Sequence, residues 1–368
     1  MSIFDKFGLV YFLIPFIFIV ENKIGLIFSI IFGNSKHKIK IKNAPTLYFE
    51  SHEFTLMLSL LGILTFSTSY NFKNENEFYV SFDMRNEFSL TLDRSSIEDK
   101  NLINTLFGGI RHGADFVLDN SNFKDNSREK SFRIFKIDDR RIIETSTGIK
   151  FYLDSIRPGN TIVETYVQKI HQISSKENFN GKVVIDVGAE CGDTALFYSN
   201  LGATVYAFEP LKDHFDYMLE NISLNEELSK KIIPINAAIG KDGDLIFNFD
   251  RMTTTGGSFV KNIHEKNSDQ VKVKGYSFES ALKKFNIECV DLLKMDCKGC
   301  ECFLNADSLD NVKSIKIEYI SEFSELKLEE LLNTLEKAGF ENNVYRINPI
   351  SNRTSNRYEC HIFGKKNN

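Results

Sequence analysis

From Lys182 onward, short β-branched runs alternate with amphipathic helical runs, and this alternation restricts the fold more than any other feature of the chain. "KVVIDV" (Lys182 to Val187), "TVYAFE" (Thr204 to Glu209), "KIIPINAAI" (Lys231 to Ile239), "VDLLKMD" (Val290 to Asp296), "SIKIEYI" (Ser314 to Ile320) and "RYECHIFG" (Arg357 to Gly364) read as strands. "DTALFYSNLGA" and "KLEELLNTLEKAG" read as helices closed by Gly202 and Gly339. Such a pattern predicts an α/β, doubly wound, mainly parallel sheet with helices on both faces. Ligands of these sheets sit at the carboxyl ends of the strands. Asp186, Glu209, Asn236, Asp296 and Glu318 stand there.

The sharpest local signal is "VVIDVGAECGDTALF", Val183 to Phe197. A β-branched run ends in Asp186, and Gly188 and Gly192 turn the backbone into a helix starting near Asp193 and Thr194. Glycine lets a ligand approach the backbone, because no Cβ stands in the way. The next strand ends in Glu209, where a carboxylate can accept hydrogen bonds from both hydroxyls of a ribose. Two cofactors use this arrangement. A dinucleotide needs G-x-G-x-x-G around its pyrophosphate. Here Glu190 replaces the second glycine and Asp193 the third, so acids would face an anion. S-adenosylmethionine carries a sulfonium and an ammonium instead, and Asp186, Glu190 and Asp193 suit that cation.

The stretch from Ile185 to Pro210 resembles the FkbM family of S-adenosylmethionine-dependent methyltransferases. So do "PINAAIGKDGDL", "GGSF" at Gly256 to Phe259, and "VDLLKMDCKGCE". "TSTGIKFYL" and "ETYVQKIH" are similar to the family's lead-in, so the resemblance covers residues 140–368. It implies a class I methyltransferase (Rossmann-like) fold with S-adenosylmethionine as cofactor. It also implies O-methylation of a hydroxyl on a sugar, glycan, lipid or natural product. Carried over by position, Asp186, Gly188, Gly192, Asp193 and Thr194 would form the methionine and sulfonium side. Glu209 would hold the ribose, and Asn236 and Ala237 would lie against the adenine. Asp296 would sit where the methyl group meets its acceptor.

Removing a proton from a hydroxyl calls for a carboxylate base. Asp296 is the first candidate, with Glu301 and Glu318 behind it. Lys298 departs from the family pattern, which has a glutamate there, and reverses a charge at the mouth of the site. Cys297, Cys300 and Cys302 crowd "LLKMDCKGCEC". With Cys191 they could make a thiolate metal site, but a single C-x-x-C is weak evidence for one. Reduced, core-facing thiols and no metal are the expectation. Two further readings stay open: a methyltransferase-fold binding protein that has lost catalysis, and a nucleotide-dependent oxidoreductase.

Residues 1–135 carry no catalytic motif and are expected to form an α+β accessory region ahead of a methyltransferase domain at 136–368. The apolar runs Gly8 to Val20 and Gly25 to Gly33 are each shorter than the roughly 20 residues that span a bilayer. They are expected as buried helices. The basic "KHKIKIK", Lys36 to Lys42, keeps membrane-surface contact through residues 8–42 open, though not favoured. "DNSNFKDNSREKS", Asp119 to Ser131, reads as a loop or linker. A net charge of −5 argues against nucleic acid as a partner, leaving a small-molecule or glycan acceptor. The thiols place the chain in the cytoplasm, with a peripheral membrane position open. The sequence leaves the oligomeric state undetermined.

Overall fold

A computed structural model describes residues 18–83, 87–118, 130–156, 161–172, 178–249, 258, 269–349 and 358–367. The chain divides into two compact units, Met1–His171 and Gln172–Asn368.

In the first unit, β1 (Lys36–Lys40) pairs antiparallel with β2 (Thr46–Glu50). His37 and Ile39 point inward and Lys36, Lys38 and Lys40 outward, the alternation "KHKIKIK" predicts. β3 (Ser69–Phe72), β4 (Glu77–Asp83) and β5 (Glu87–Asp93) form an antiparallel sheet. β6 (Asp115–Leu118), β7 (Ser131–Ile137), β8 (Arg140–Thr145) and β9 (Lys150–Tyr152) form a mixed sheet, in which β6 and β7 run parallel and the other neighbours antiparallel. The helix Phe54–Phe66 is apolar around its whole circumference and largely buried, as such a helix must be. It packs on the helix Ile97–Arg111, which Ser96 caps by accepting the Asp99 N–H.

Two expectations change here. The break foreseen near residue 135 falls inside β7, which pairs with β6 before it and β8 after it. Strand pairing therefore carries the unit on to His171. The run after Gly25 does form a helix, Lys23–Ile31, but Leu26 is its one buried side chain. It is held to β1 by hydrogen bonds rather than sunk into a core. Residues 1–17 and 119–129, with most of the first apolar run and the foreseen linker, lie outside the described residues. No described helix is long and apolar enough to cross a membrane.

The second unit is built on a seven-stranded sheet of order β12 (Ile232–Ile235), β11 (Thr204–Phe208), β10 (Val183–Val187), β16 (Leu292–Met295), β17 (Ser314–Ile320), β19 (Tyr358–Lys366), β18 (Phe340–Pro349). β10, β11, β12, β16 and β17 run parallel. β19 is antiparallel to both β17 and β18. β18 escapes the sequence reading because "FENNVYRINP" is an edge strand with little apolar alternation. The foreseen strand Lys231 to Ile239 divides at Asn236. β12 joins the main sheet, while β13 (Ala238–Ile239) joins β14 (Gly243–Phe249) and β15 (Asp269–Tyr276) in a small side sheet. The main core runs along β10, β16 and β17 through Ile185, Leu293, Met295, Ile315 and Ile317.

Gly62 lets the two long helices of the first unit approach. A Cβ there would lie 2.1 Å from the ring of Phe107. Gly62→Ala gains helix propensity of ~1 kcal/mol against overpacking of ~1–3 kcal/mol. A net loss in stability is expected in urea unfolding. In a Phe107→Leu background the same substitution should become neutral or stabilising. Equal losses in both backgrounds would refute this packing account.

Candidate active site

The carboxyl edge of the parallel sheet is organised around a charge that the sequence reading did not single out. Lys294 lies inside the apolar strand β16 and is buried. Its Nζ contacts Asp186 Oδ1 on neighbouring β10 at 2.9 Å and donates to the Gly188 carbonyl at 3.0 Å. Thr194, on the helix Asp193–Asn200, donates its hydroxyl to the other Asp186 oxygen. Burial works against the Lys294 charge, but Asp186 and Asp296 outweigh it and raise its pKa. Asp186 and Thr194 therefore tie the loop to the sheet beneath it. The signal for Lys294 was legible: a lysine flanked by "LL" and "M" in a central strand needs a buried partner.

Above this pair the loop Gly188 to Gly192 turns through left-handed backbone at Gly188 (φ 78°), Glu190 (φ 47°) and Gly192 (φ 85°). A Cβ on Gly188 would lie 2.0 Å from the Asp296 carbonyl oxygen, so glycine is required where the ends of β10 and β16 meet. Asp193, buried, opens the helix.

Glu209 follows β11 and is buried. Its carboxylate accepts the Glu190 N–H at 3.0 Å and the Leu211 N–H at 2.9 Å, and His214 Nδ1 lies 3.8 Å away. It thereby joins the glycine loop to the end of the next strand. Asn236 donates to the Glu209 and Pro210 carbonyls at 2.9 and 3.1 Å, bracing that end from β12. Ala237 is buried in the core beside it.

Asp296 and Glu318 come together through Lys298. Its ammonium lies 2.8 Å from Asp296 Oδ1 and 2.5 Å from Glu318 Oε2. Burial would push the Asp296 carboxyl up, but Lys298 beside it, with Lys294, holds it well below its ordinary value. Burial and the Asp296 charge push Glu318 well above the carboxylate range, against Lys298. The pair thus divides its protonation states, with Asp296 ionised and Glu318 inclined to hold a proton.

Glu301 does not join them. It is buried in the 3-10 turn Cys300–Phe303, where its Oε2 accepts the Gly299 N–H at 3.0 Å. Burial raises its pKa. The expectation that it reaches back into the cleft is corrected: Gly299, at φ 111°, turns the chain so that Glu301 braces its own turn.

The thiol expectation is corrected as well. Cys297 and Cys300 form a disulfide, their Cα atoms 5.5 Å apart, a separation that suits the bond. That closure takes both sulfurs out of any thiolate metal site. Among the described residues, the ligand atoms of Glu318, Glu359 and His361 lie within 4.8 Å of one another, and Lys298 already lies against Glu318. Ser258, from the "GGSF" segment, donates to the Lys298 carbonyl at 2.8 Å and holds the disulfide loop from the side sheet.

Residues 186–342 match the family model of the Methyltransferase FkbM domain. No curated protein matches the chain. Solved structures with similar folds include M. jannaschii TYW2 in complex with AdoMet, 18% identical over 64% of this chain and 85% of that one, at TM-score 0.34. The M. jannaschii tRNA m1G37 methyltransferase is 14% identical over 69% and 74%, at TM-score 0.35. The METTL16 MTase domain is 14% identical over 60% and 74%, at TM-score 0.36. Proteins named for tRNA stand among these matches, so the exclusion of nucleic acid drawn from net charge is withdrawn. Net charge is a whole-chain sum and does not describe a local surface. The fold is that of class I methyltransferases, and the cofactor is S-adenosylmethionine. The donor set fits it: Glu209 would offer a carboxylate held by N–H groups to hydroxyl donors, and Glu190 and Asp193 would offer negative charge to a sulfonium.

Lys294→Met should leave Asp186 as a buried, uncompensated charge and destabilise the protein by ~3–5 kcal/mol. Adding Asp186→Asn should recover much of that in the same unfolding assay. Because the folded pKa of Lys294 is raised, its stabilisation is fully present below the ordinary lysine value and is lost only as pH rises through the folded value. A wild-type stability for Lys294→Met at neutral pH would overturn the account.

Proposed function

We propose, from the premise that residues 186–342 are a methyltransferase FkbM domain, that the chain methylates a hydroxyl on a sugar, glycan or lipid-like natural product. The observation behind this reading is the Asp296–Lys298–Glu318 trio at the carboxyl ends of β16 and β17. It offers a proton acceptor beside an ionised carboxylate, which a hydroxyl nucleophile needs and an already nucleophilic amine does not. S-adenosylmethionine, when bound, supplies an electrophilic methyl group.

The chain's own residues do the rest. Glu209 accepts hydrogen bonds from ribose hydroxyls. Glu190 and Asp193 add negative charge at the loop, and Asn236 and Ala237 form the wall toward the adenine. Asp186 and Thr194 hold the loop in place. A carboxyl held far below the ordinary range is a weak base, so Asp296 orients the acceptor hydroxyl and fixes Lys298. Glu318, with its raised pKa, takes the proton. Glu301 keeps the turn in shape and does not touch the acceptor.

A second reading has one observation in its favour. Lys298 occupies both carboxylates, as a binding protein that has lost catalysis would allow. Transfer of a labelled methyl group from S-adenosylmethionine into a cell extract separates the two. Label in an alkali-stable ether supports O-methylation, and label in an amine or a nucleobase refutes it. No transfer, with the cofactor still bound, favours the second reading.

Glu209→Ala should weaken S-adenosylmethionine binding by calorimetry at least ~tenfold, since two charge-assisted hydrogen bonds go with it. Unchanged affinity would remove Glu209 from the cofactor site. Asp296→Asn should lower turnover ~10²-fold with affinity nearly unchanged. Turnover should rise with pH as Glu318 loses its proton, and Glu318→Gln should abolish that rise. A variant that keeps the wild-type pH profile would exclude Glu318 as the base.

A further inference from the structure

The helix Lys23–Ile31 presents its apolar side chains outward. Ile24 is 73% exposed, Phe28 53%, Ile31 69% and Phe32 74%, with Ile27 exposed between them. Phe28 and Phe32 stack on each other, ring centroids 5.8 Å apart. Scattered exposed apolar residues are ordinary, but a contiguous patch marks a contact surface. The helix is fixed in this attitude by polar bonds to β1. Asn22 donates to the Lys38 carbonyl at 2.9 Å and accepts the Lys40 N–H at 2.7 Å. Ser29 Oγ lies 2.9 Å from His37 Nδ1, and Leu26 fills the space beneath.

The strand that holds the helix carries the complementary feature. Lys36, Lys38 and Lys40 occupy the solvent face of β1, Lys42 follows them exposed, and Lys23 opens the helix. Against this row stand Glu21 and Glu50, the latter 3.6 Å from Lys36. Positive charge beside exposed aliphatic and aromatic side chains is the composition of an interfacial membrane helix.

We propose that the helix Lys23–Ile31 and the lysine row of β1 form a docking surface for an anionic lipid bilayer. The apolar side chains enter the headgroup–acyl boundary and the lysines meet lipid phosphates. The contact is peripheral, since no described helix is long and apolar enough to cross. A nucleic acid would use the lysines but gain nothing from Ile24, Ile27, Ile31 and the stacked phenylalanines. A second copy seated by two-fold symmetry would bring the lysine rows face to face, where like charges repel. Lipid satisfies both halves of the surface. The surface lies in the first unit and is independent of the methyl-transfer reading.

The test is co-sedimentation of the full chain with vesicles, an equal mixture of phosphatidylcholine and phosphatidylglycerol against phosphatidylcholine alone. Binding to the mixed vesicles, weakened by salt, is expected. The exposed double variant Phe28→Ser/Phe32→Ser should bind the mixed vesicles at least ~tenfold more weakly. Lys38→Gln/Lys40→Gln should lose ~tenfold or more and with it the preference for the anionic vesicles. Circular dichroism confirms that each variant stays folded. No sedimentation with either vesicle, or equal binding by all three proteins, overturns the proposal. So does a dimer in analytical ultracentrifugation that the phenylalanine variant dissolves without any vesicle binding by the wild type. Retardation of an RNA by the lysine row, with no vesicle binding, would assign the surface to nucleic acid instead.

Discussion

A lysine buried in a central strand must be answered by a carboxylate, and the second unit is arranged around that answer. Lys294 meets Asp186 across the β10–β16 pair and also donates to the Gly188 carbonyl. Thr194 reaches the same carboxylate from the helix beyond the loop. Strand, strand, loop and helix are thus tied at one point. A buried pair of this kind is weak evidence for stability, because an apolar pair of equal volume is often as stable. What an apolar pair would not supply is directed bonds to the loop carbonyl and the helix hydroxyl. Those bonds act on the loop that carries the left-handed turns, and in that loop Glu190 donates its N–H to Glu209.

The same logic acts one level up. Where a glutamate at position 298 would bring a third acid to Asp296 and Glu318, this chain has a cation. Lys298 sits at φ 53° inside the short ring closed by Cys297 and Cys300. Its carbonyl is held by Ser258 and its ammonium spans both acids. Backbone, disulfide and side chain converge on one geometry. Lys298 therefore places a cation between the two acids of the site's mouth.

The frame itself was readable because parallel strands buried on both faces write runs rich in Val, Ile and Leu. β10 and β17 carry Val and Ile, β11 carries Val205 between Thr204 and Tyr206, and β16 carries Leu292 and Leu293. β18 did not, since an edge strand needs few apolar residues. The first unit resisted reading for a related reason: β3 to β9 are short, mostly antiparallel apart from the parallel β6–β7 pair, and are grouped into separate small sheets. Position along a strand put Glu209, Asp296 and Glu318 toward the carboxyl ends of β11, β16 and β17, where the structure has them, but could not say which acids had partners. Glu301 was a candidate base by its place after β16, and the structure has it bracing its own turn, because the Gly299 backbone decides its direction. The disulfide was missed because a C-x-x-C reads equally as thiols, metal ligands or a bond until the Cα separation is known.

The acids at this edge differ in the kind of partner each has, and the partner sets what each can do. Asp186 faces an ammonium, so its charge is cancelled within the fold. Asp296 and Glu318 share one ammonium between two carboxyls, which leaves room for one proton and so for acid–base chemistry. Glu209 is held by backbone N–H groups, whose dipoles stabilise a carboxylate without cancelling its net charge. An anion held by dipoles in that way suits a neutral donor such as a hydroxyl pair. On the proposed reading, the cofactor end and the reacting end of the edge therefore differ in their electrostatics. A lysine opposite Glu209 would have erased that difference even with every backbone atom in place.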